Sequence, residues 1–331
     1  MPNPYISGTG FYLPPRVVTN DELSSYMNTT DEWIKERTGI KERRYVEKGV
    51  GPSDLAIPAV KQALNCAGLE VKDIDFIIFA TSTPDFYAPG SGCLLQDKMG
   101  FNEIGALDIR VQCSGFIYGL SIAEQYIRTG TFKNILLIGA EVQSTAMNLT
   151  DEGRDTAIIF GDGAGVAIIS STEENKGILS THMHSEGKFV KELWLESPAS
   201  NAGYPRITGE ELGEGKQYLK MNGKEVFRHA ITRFPEVINE ALESNNLTSE
   251  NIDLLIPHQA NLRITQMIQK RLSLHDDQVF SNIHKYGNTT AATIPIALAE
   301  AFNEGRIKDG DLVVLAAFGS GFTWASAIMK W

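Results

Sequence analysis

The sequence predicts an α/β fold built as two similar halves, on three observations. The chain has 331 residues, too many for one small core and enough for two α/β units. Short apolar runs that read as buried strands alternate with stretches of helical periodicity. The chain also repeats itself once. The segment 62-QALNCAGLEVKDIDFIIFA-80 lies on 240-EALESNNLTSENIDLLIPH-258 with six of nineteen positions identical, Gln62 onto Glu240, an offset of 178 residues. The same offset lays 135-ILLIGA-140 on 313-VVLAAF-318. Short repeats in α/β chains also arise by chance, and two matches at one offset argue against that here.

The first half is placed at 1–172 and the second at 173–331, joined through 171-STEENKGILS-180. Bulk properties bound the function. Hydrophobic residues make up 42% and charged residues 21%, the balance of an ordinary folded protein. The net charge of −11 argues against general nucleic-acid binding. The opening MPNPYISGTGFYLPP has no basic region followed by an apolar stretch, so no signal peptide is expected. No apolar run reaches membrane-spanning length, so no membrane insertion is expected. The three cysteines, Cys66, Cys93 and Cys113, fit reduced thiols in a cytoplasmic protein. Cys66 falls in the helical pattern of the repeat and Cys93 in a Gly-Ser-rich turn; both read as structural.

Ala106 to Val111 reads as a strand, and Ile117, Leu120, Ile122 and Tyr126 supply the apolar positions of a helix. The change from strand to helix falls on Cys113-Ser114-Gly115. A thiol there meets the positive end of the helix and free N–H groups, which favour thiolate and can hold an oxyanion. A small buried cysteine at a tight turn fits the same residues equally well. Further on, 161-GDGAG-165 is glycine-rich, but its spacing is not that of the dinucleotide fingerprint, and it reads as a structural turn. His182-x-His184 lacks a third ligand at motif spacing, so no metal site is expected. The Gly-, Pro- and charge-rich stretch 197–216 reads as a long surface excursion near a site.

In the second half, a buried strand ends at Pro257 and His258 follows, where α/β sheets build sites. The next helix carries Arg263, Lys270 and Arg271 at spacings of seven and eight, one basic face. Such a face is usually only solvated; on this acidic chain it also suits an acidic partner. Gly287 marks a turn, and Asn288 within it serves either as a turn residue or as an amide donor aimed into a pocket. A strand then ends in the Gly-Ser-Gly turn 319–321, where backbone N–H groups are available. Neither a G-x-S-x-G nor a Walker motif occurs.

Taken together, 30-TDEWIKERTGIKERRY-45, Cys113 in QCSGF, 158-IIFGDGAG-165, 219-LKMNGKEVF-227, IPHQAN, YGNTTAA and GFTWASA make the whole chain resemble the β-ketoacyl-acyl-carrier-protein synthase III family of the thiolase-like superfamily. The resemblance implies a five-layer αβαβα sandwich of two halves related by a pseudo-two-fold, each with a five-stranded sheet. It implies Cys113, His258 and Asn288 as the catalytic triad. It also implies that acyl-CoA would acylate Cys113, and that decarboxylative condensation with malonyl-acyl carrier protein would give a β-ketoacyl product. His258 and Asn288 would hold the enolate, and the N–H groups of Cys113 and Ser320 the oxyanion. Neither a metal nor a redox cofactor is implied. Thr29, Trp33, Arg37 and Arg154 would meet CoA, and Gly223, Phe227 and Asn261 its pantetheine arm. Arg228, Arg263, Lys270 and Arg271 would meet the acidic carrier protein, and the protein would be a homodimer.

Three positions depart from the family pattern. Ser320 replaces a glycine in the oxyanion turn. Ala88, in 83-TPDFYAP-89, stands where acetyl-specific enzymes have Phe, in a loop that reaches the partner subunit's acyl pocket; the missing ring predicts a primer longer than acetyl, whereas Phe86 or Tyr87 beside it would refill the space, and Met221 is placed in the same pocket. The excursion at 190–217 looks long enough to cover such a chain. A condensing enzyme of specialised metabolism, or an acyltransferase with a different acceptor, remains the alternative on the same scaffold.

Overall fold

The computed structural model describes residues 2–331. After β1 (Asn3–Tyr12), a cap is formed by β2 (Arg16–Thr19), α1 (Asn20–Ser24), α2 (Asp31–Thr38) and β3 (Glu42–Tyr45). Then come α3 (Pro52–Ala67), β4 (Phe76–Ala80), α4 (Ser91–Met99), β5 (Gly105–Ile109), α5 (Gly115–Arg128), β6 (Asn134–Glu141), α6 (Arg154–Ala157) and β7 (Gly163–Thr172). The chain continues through β8 (Gly177–Ser185), β9 (Leu193–Trp194), α7 (Gly209–Gly213), β10 (Lys220–Met221) and α8 (Gly223–Ser244). It closes with β11 (Leu254–Pro257), α9 (Leu262–Leu272), α10 (Ile283–Tyr286), α11 (Thr293–Asn303), β12 (Leu312–Gly319) and β13 (Thr323–Lys330).

The first sheet has five strands in the order β1-β7-β6-β4-β5 and the second four, β8-β13-β12-β11. In each, the inner pair is parallel and the next two pairings antiparallel: β4 with β6, then β6 with β7 and β7 with β1; β11 with β12, then β12 with β13 and β13 with β8. The expectation of five strands per half is corrected for the second sheet. There the counterpart of β5 is a single parallel bridge, Leu255 to Val279, with the Phe280 N–H donating to the Leu255 carbonyl. A 3₁₀ turn at Asp276–Gln278 before it and α10 after it leave no room for a longer strand.

Strand alternation sorts the apolar side chains between layers. Ile135 and Leu137 of β6, with Val313, Leu315 and Ala317 of β12, face the central core around α5 and α11. Leu136 and Ile138 face α3, and Val314, Ala316 and Phe318 face α8 and α9. The two sheets therefore alternate with three helical layers. A fourth core under the cap joins Val18, Leu23, Ile34 and Ile40 to Ile158, Phe160 and Ile283. The 178-residue offset holds across the architecture: β4 and β11 begin at 76 and 254, α5 and α11 at 115 and 293, β6 and β12 at 134 and 312. The turns entering α5 and α11 share a left-handed residue, Gln112 (φ 43°) and Thr290 (φ 50°).

Two local expectations change. Gly163 to Gly165 are not a turn but the start of β7. A Cβ on Gly165 would lie 2.5 Å from the Ile296 backbone nitrogen, so the glycine lets α11 lie against the strand. Cys93 lies on α4, not in a turn, and both Cys66 and Cys93 are exposed. Among the described residues, no helix is long and apolar enough to cross a membrane.

Candidate active site

The chain leaves β5 and enters α5 through the 3₁₀ turn Gln112–Ser114, which puts Cys113 at the start of a fourteen-residue helix. Phe116, Ile117, Leu120, Ala123 and Ile127 bury that helix in the central core. Cys113 is 5% exposed. Its own N–H and that of Ser320 both reach the sulfur. The approach needs Gly319, whose Cβ would fall 2.6 Å from that of Cys113. Ser320 itself needs no left-handed backbone; the positive φ of this turn, 136°, falls on Gly321. Burial, with the Glu141 carboxylate acting the same way, pushes the Cys113 thiol up to about 12, while the two N–H groups pull it down. A helix start is worth about 2 kcal/mol at most, about one and a half pKa units, so it does not reverse the burial. Burial thus works against the thiolate that the helix start favours.

His258 follows β11 and is fixed by its N–H to the Ala316 carbonyl at 2.8 Å. Burial pushes its pKa down to about 3, so the imidazole is neutral. Its Nδ1 lies 2.6 Å from the Thr293 hydroxyl, which is also 3.1 Å from the Thr290 carbonyl. Asn288 follows α10 and Gly287 (φ 66°). Its backbone pairs with the first half, N–H to the Ile159 carbonyl at 2.9 Å and carbonyl to the Gly161 N–H at 3.0 Å. The Asn288 Oδ1 accepts from the Thr290 N–H at 2.8 Å. Oδ1 thus serves the turn, which leaves the other amide atom for the cavity that Asn288 lines.

Cys113, His258, Asn288 and Gly319 line one cavity of about 460 Å³, which opens past Met221, Gly223, Phe227 and Asn261 to Trp33 and Arg37. The guanidinium groups of Arg37 and Arg154 lie 4.4 and 4.7 Å from the Trp33 ring. Asn261 caps α9, accepting from the Arg263 N–H and donating to the Arg37 carbonyl, both at 2.9 Å.

Comparison with known proteins decides the family. The 3-oxoacyl-[acyl-carrier-protein] synthase III family model matches residues 107–187, and the model of its C-terminal part matches 242–331. A β-ketoacyl-[acyl-carrier-protein] synthase III of Caldanaerobacter subterraneus subsp. tengcongensis is 46% identical over 98% of this chain and 97% of its own. That of Clostridioides difficile is 47% identical over 98% of each chain. The crystal structure of 3-oxoacyl-[acyl-carrier-protein] synthase III from Aquifex aeolicus superposes with a TM-score of 0.90 at 41% identity, covering 99% of this chain and 100% of the other. The chain belongs to the β-ketoacyl-[acyl-carrier-protein] synthase III family. It is a condensing acyltransferase with the thiolase-like fold.

Within that family frame, other expected residues sit unevenly around the cavity. Thr29 and Arg154 lie off its lining; Arg154 reaches it only through Trp33, and donates to the Asn28 carbonyl at 3.1 Å. Arg263 lines the mouth, while Lys270 and Arg271 are exposed further along α9, Arg271 donating to the Ile231 carbonyl. Arg228 is paired with Glu225. Met221 lines the wall, but Phe86 and Ala88 do not. Of the excursion, Leu193 lines the cavity and pairs with Met221 between β9 and β10, whereas 195–217 contributes none of the lining. Its body leans on the Ala88 loop instead, with Arg206 4.3 Å over the Tyr87 ring.

Sequence reading passed over several residues. Glu141, Thr293 and the wall Ile158–Phe160 are among them, as is Arg43. Arg43 is fully buried behind that wall and donates to the Ile158 carbonyl and Asn20 Oδ1, both at 2.7 Å. A signal existed for Glu141: an acid ending the apolar run 135–141.

Proposed function

We propose that the chain primes acyl-chain synthesis with acyl-CoA and condenses the primer with malonyl-acyl carrier protein. The observation that carries this is the convergence of Cys113, two N–H donors, His258 and Asn288 on one cavity with an aromatic, cationic mouth. The Cys113 sulfur attacks the thioester carbonyl, the tetrahedral oxygen accepts from the N–H groups of Cys113 and Ser320, and CoA leaves with the thiol proton. Malonyl-acyl carrier protein then loses CO2. The electron pair of the broken bond forms an enolate whose oxygen accepts from Asn288 Nδ2 and His258 Nε2. Its α-carbon attacks the acyl carbonyl, and Cys113 leaves as thiolate, regaining a proton from solvent. A neutral His258 donates from Nε2 only if Thr293 turns its hydroxyl hydrogen from the Thr290 carbonyl, 3.1 Å away, to Nδ1, 2.6 Å away. The sequence as drawn uses neither metal nor redox cofactor.

On this reading Trp33, with Arg37, Arg154 and Thr29, receives the adenine end of CoA, and Gly223, Phe227 and Asn261 the pantetheine arm. Arg263, Lys270 and Arg271, with Arg228 at the margin, meet the acidic carrier protein. The working form is a cytoplasmic homodimer, with 1–172 and 173–331 as its repeated halves. In that dimer Ala88, beside Phe86 and facing a pocket that Met221 also borders, admits a primer longer than acetyl. Acylation kinetics with acetyl-, octanoyl- and dodecanoyl-CoA test this. A higher kcat/KM for octanoyl- or dodecanoyl-CoA is expected; the highest value with acetyl-CoA overturns the long primer. CO2 release that does not need the carrier protein overturns the acceptor.

A further inference from the structure

A buried acid stands at the junction of the two halves. Glu141 ends the apolar strand β6 and is fully buried. Its carboxylate accepts from the Ser82 N–H at 3.1 Å, the Ser82 hydroxyl at 2.9 Å and the Thr83 hydroxyl at 2.7 Å. From the second half it accepts from the Ala291 N–H at 3.4 Å, and from its own segment Gln143 Nε2 donates at 3.3 Å.

The 178-residue offset gives this contact a meaning. It maps Glu141 onto Gly319 and Ala291 onto Cys113. Gly319 packs on Cys113, and Glu141 packs on Ala291. The molecule thus contains the working turn twice, once with a thiol against bare backbone and once with a methyl group against a carboxylate. A carboxylate is a costly filler for a buried gap, and its partners are hydroxyl and amide donors without a cation.

We propose that Glu141 is a positioning residue of the acyl-transfer site: its carboxylate ties the turn leading to Ala88 to the turn carrying Asn288, and its charge sets how readily the Cys113 thiol ionises. The turn at 81–83 runs into the Ala88 loop, and Ala291 is separated from Asn288 by Thr289 and Thr290. Burial lifts the Glu141 carboxyl to about 7, so its charge changes in the working range. The ionisable group its charge reaches is Cys113, before α5; a Cβ on Gly115, two residues further on, would lie 3.5 Å from that of Ala291, so the Cys113 turn packs on the residue that Glu141 holds. The turn at 81–83 and Ala291 present only hydroxyl and N–H groups.

The inference rests on Cys113 as the acylated thiol, but its test needs no turnover, so failure here leaves that reading standing. Iodoacetamide alkylation is followed against pH by the mass of the Cys113 peptide. In the wild type, the logarithm of the rate should rise with pH, flatten near pH 7 as Glu141 ionises, and rise again. In Glu141→Gln the flat segment should vanish and the rate at pH 8 should rise by at least about threefold, as removal of a like charge near a thiol requires. Glu141→Asp should restore the break. An unbroken rise in the wild type, or a break that survives in Glu141→Gln, overturns the proposal. The wild-type profile decides alone if the variants do not fold.

Discussion

At the residue scale the site rests on neutral groups held in tension. Cys113 is pushed up to about 12 and His258 down to about 3, each by burial, so neither is charged before substrate arrives. Acylation must therefore move a proton together with the acyl group, and donors already in place do the stabilising. Asn288→Ala removes one such donor; decarboxylation should fall about 10²–10³-fold. Acyl transfer from acyl-CoA to Cys113 should survive, read as adduct formation without CO2 release. Thr293→Val removes the hydroxyl 2.6 Å from His258 Nδ1 and should release the tautomer. The condensation step should drop at least about tenfold while acylation is retained. Equal losses in both steps would assign Thr293 to packing alone. Cys113, His258 and Asn288, which line one cavity, were picked out by the family resemblance their motifs carry together, each motif alone being weak. Thr293 was not, because its partner is 35 residues away and only the fold brings them together.

At the element scale, helix starts and strand ends carry the chemistry, and the elements behind them fix its geometry. Cap strand β3 supplies Arg43, fully buried and bonded to the Val18 and Ile158 carbonyls and to Asn20 Oδ1. Arg43→Met would leave those acceptors unpaired, at a cost of at least about 2 kcal/mol. Calorimetry should show a melting temperature lowered by several degrees, and KM should rise because Ile158 lines the cavity. Helix α2 presents Trp33 beside the Arg37 guanidinium. Trp33→Ala should raise KM for acyl-CoA about tenfold, as loss of one stacked base implies, with kcat little changed. A KM shift for malonyl-acyl carrier protein alone would move the CoA site elsewhere. The pattern in the sequence located α5, α9 and the strands before them. It misjudged 161–165, where Gly163 and Gly165 serve close packing against α11 rather than a turn; the fifth strand that the family resemblance implied for the second sheet is cut short by the turn at 276–278.

At the scale of the whole molecule, the duplication was readable because the strands β4, β6, β11 and β12 and the buried helices keep one spacing in both halves. What it concealed was asymmetry: a thiol in one turn, alanine in its copy, and a buried acid at the junction. That asymmetry should appear in the pH dependence of stability. His258 has a depressed folded pKa, so its contribution is present above pH 6.5 and lost as pH falls toward 3. Glu141 has a raised one, so its contribution is present below pH 4.5 and lost as pH rises through 7. Relative to the wild type, Glu141→Gln should therefore gain melting temperature between pH 5 and 8, a trend thermal denaturation at several pH values reads directly. A constant difference would mean that the carboxylate does not titrate there.

The most direct test of the account is intact-protein mass spectrometry after incubation with a panel of acyl-CoAs, wild type beside Cys113→Ala, followed by malonyl-acyl carrier protein. The account predicts an added mass equal to one acyl group in the wild type, absent from Cys113→Ala and discharged when the malonyl carrier is added. An adduct that persists in Cys113→Ala, or a wild type that no acyl-CoA modifies, would contradict it.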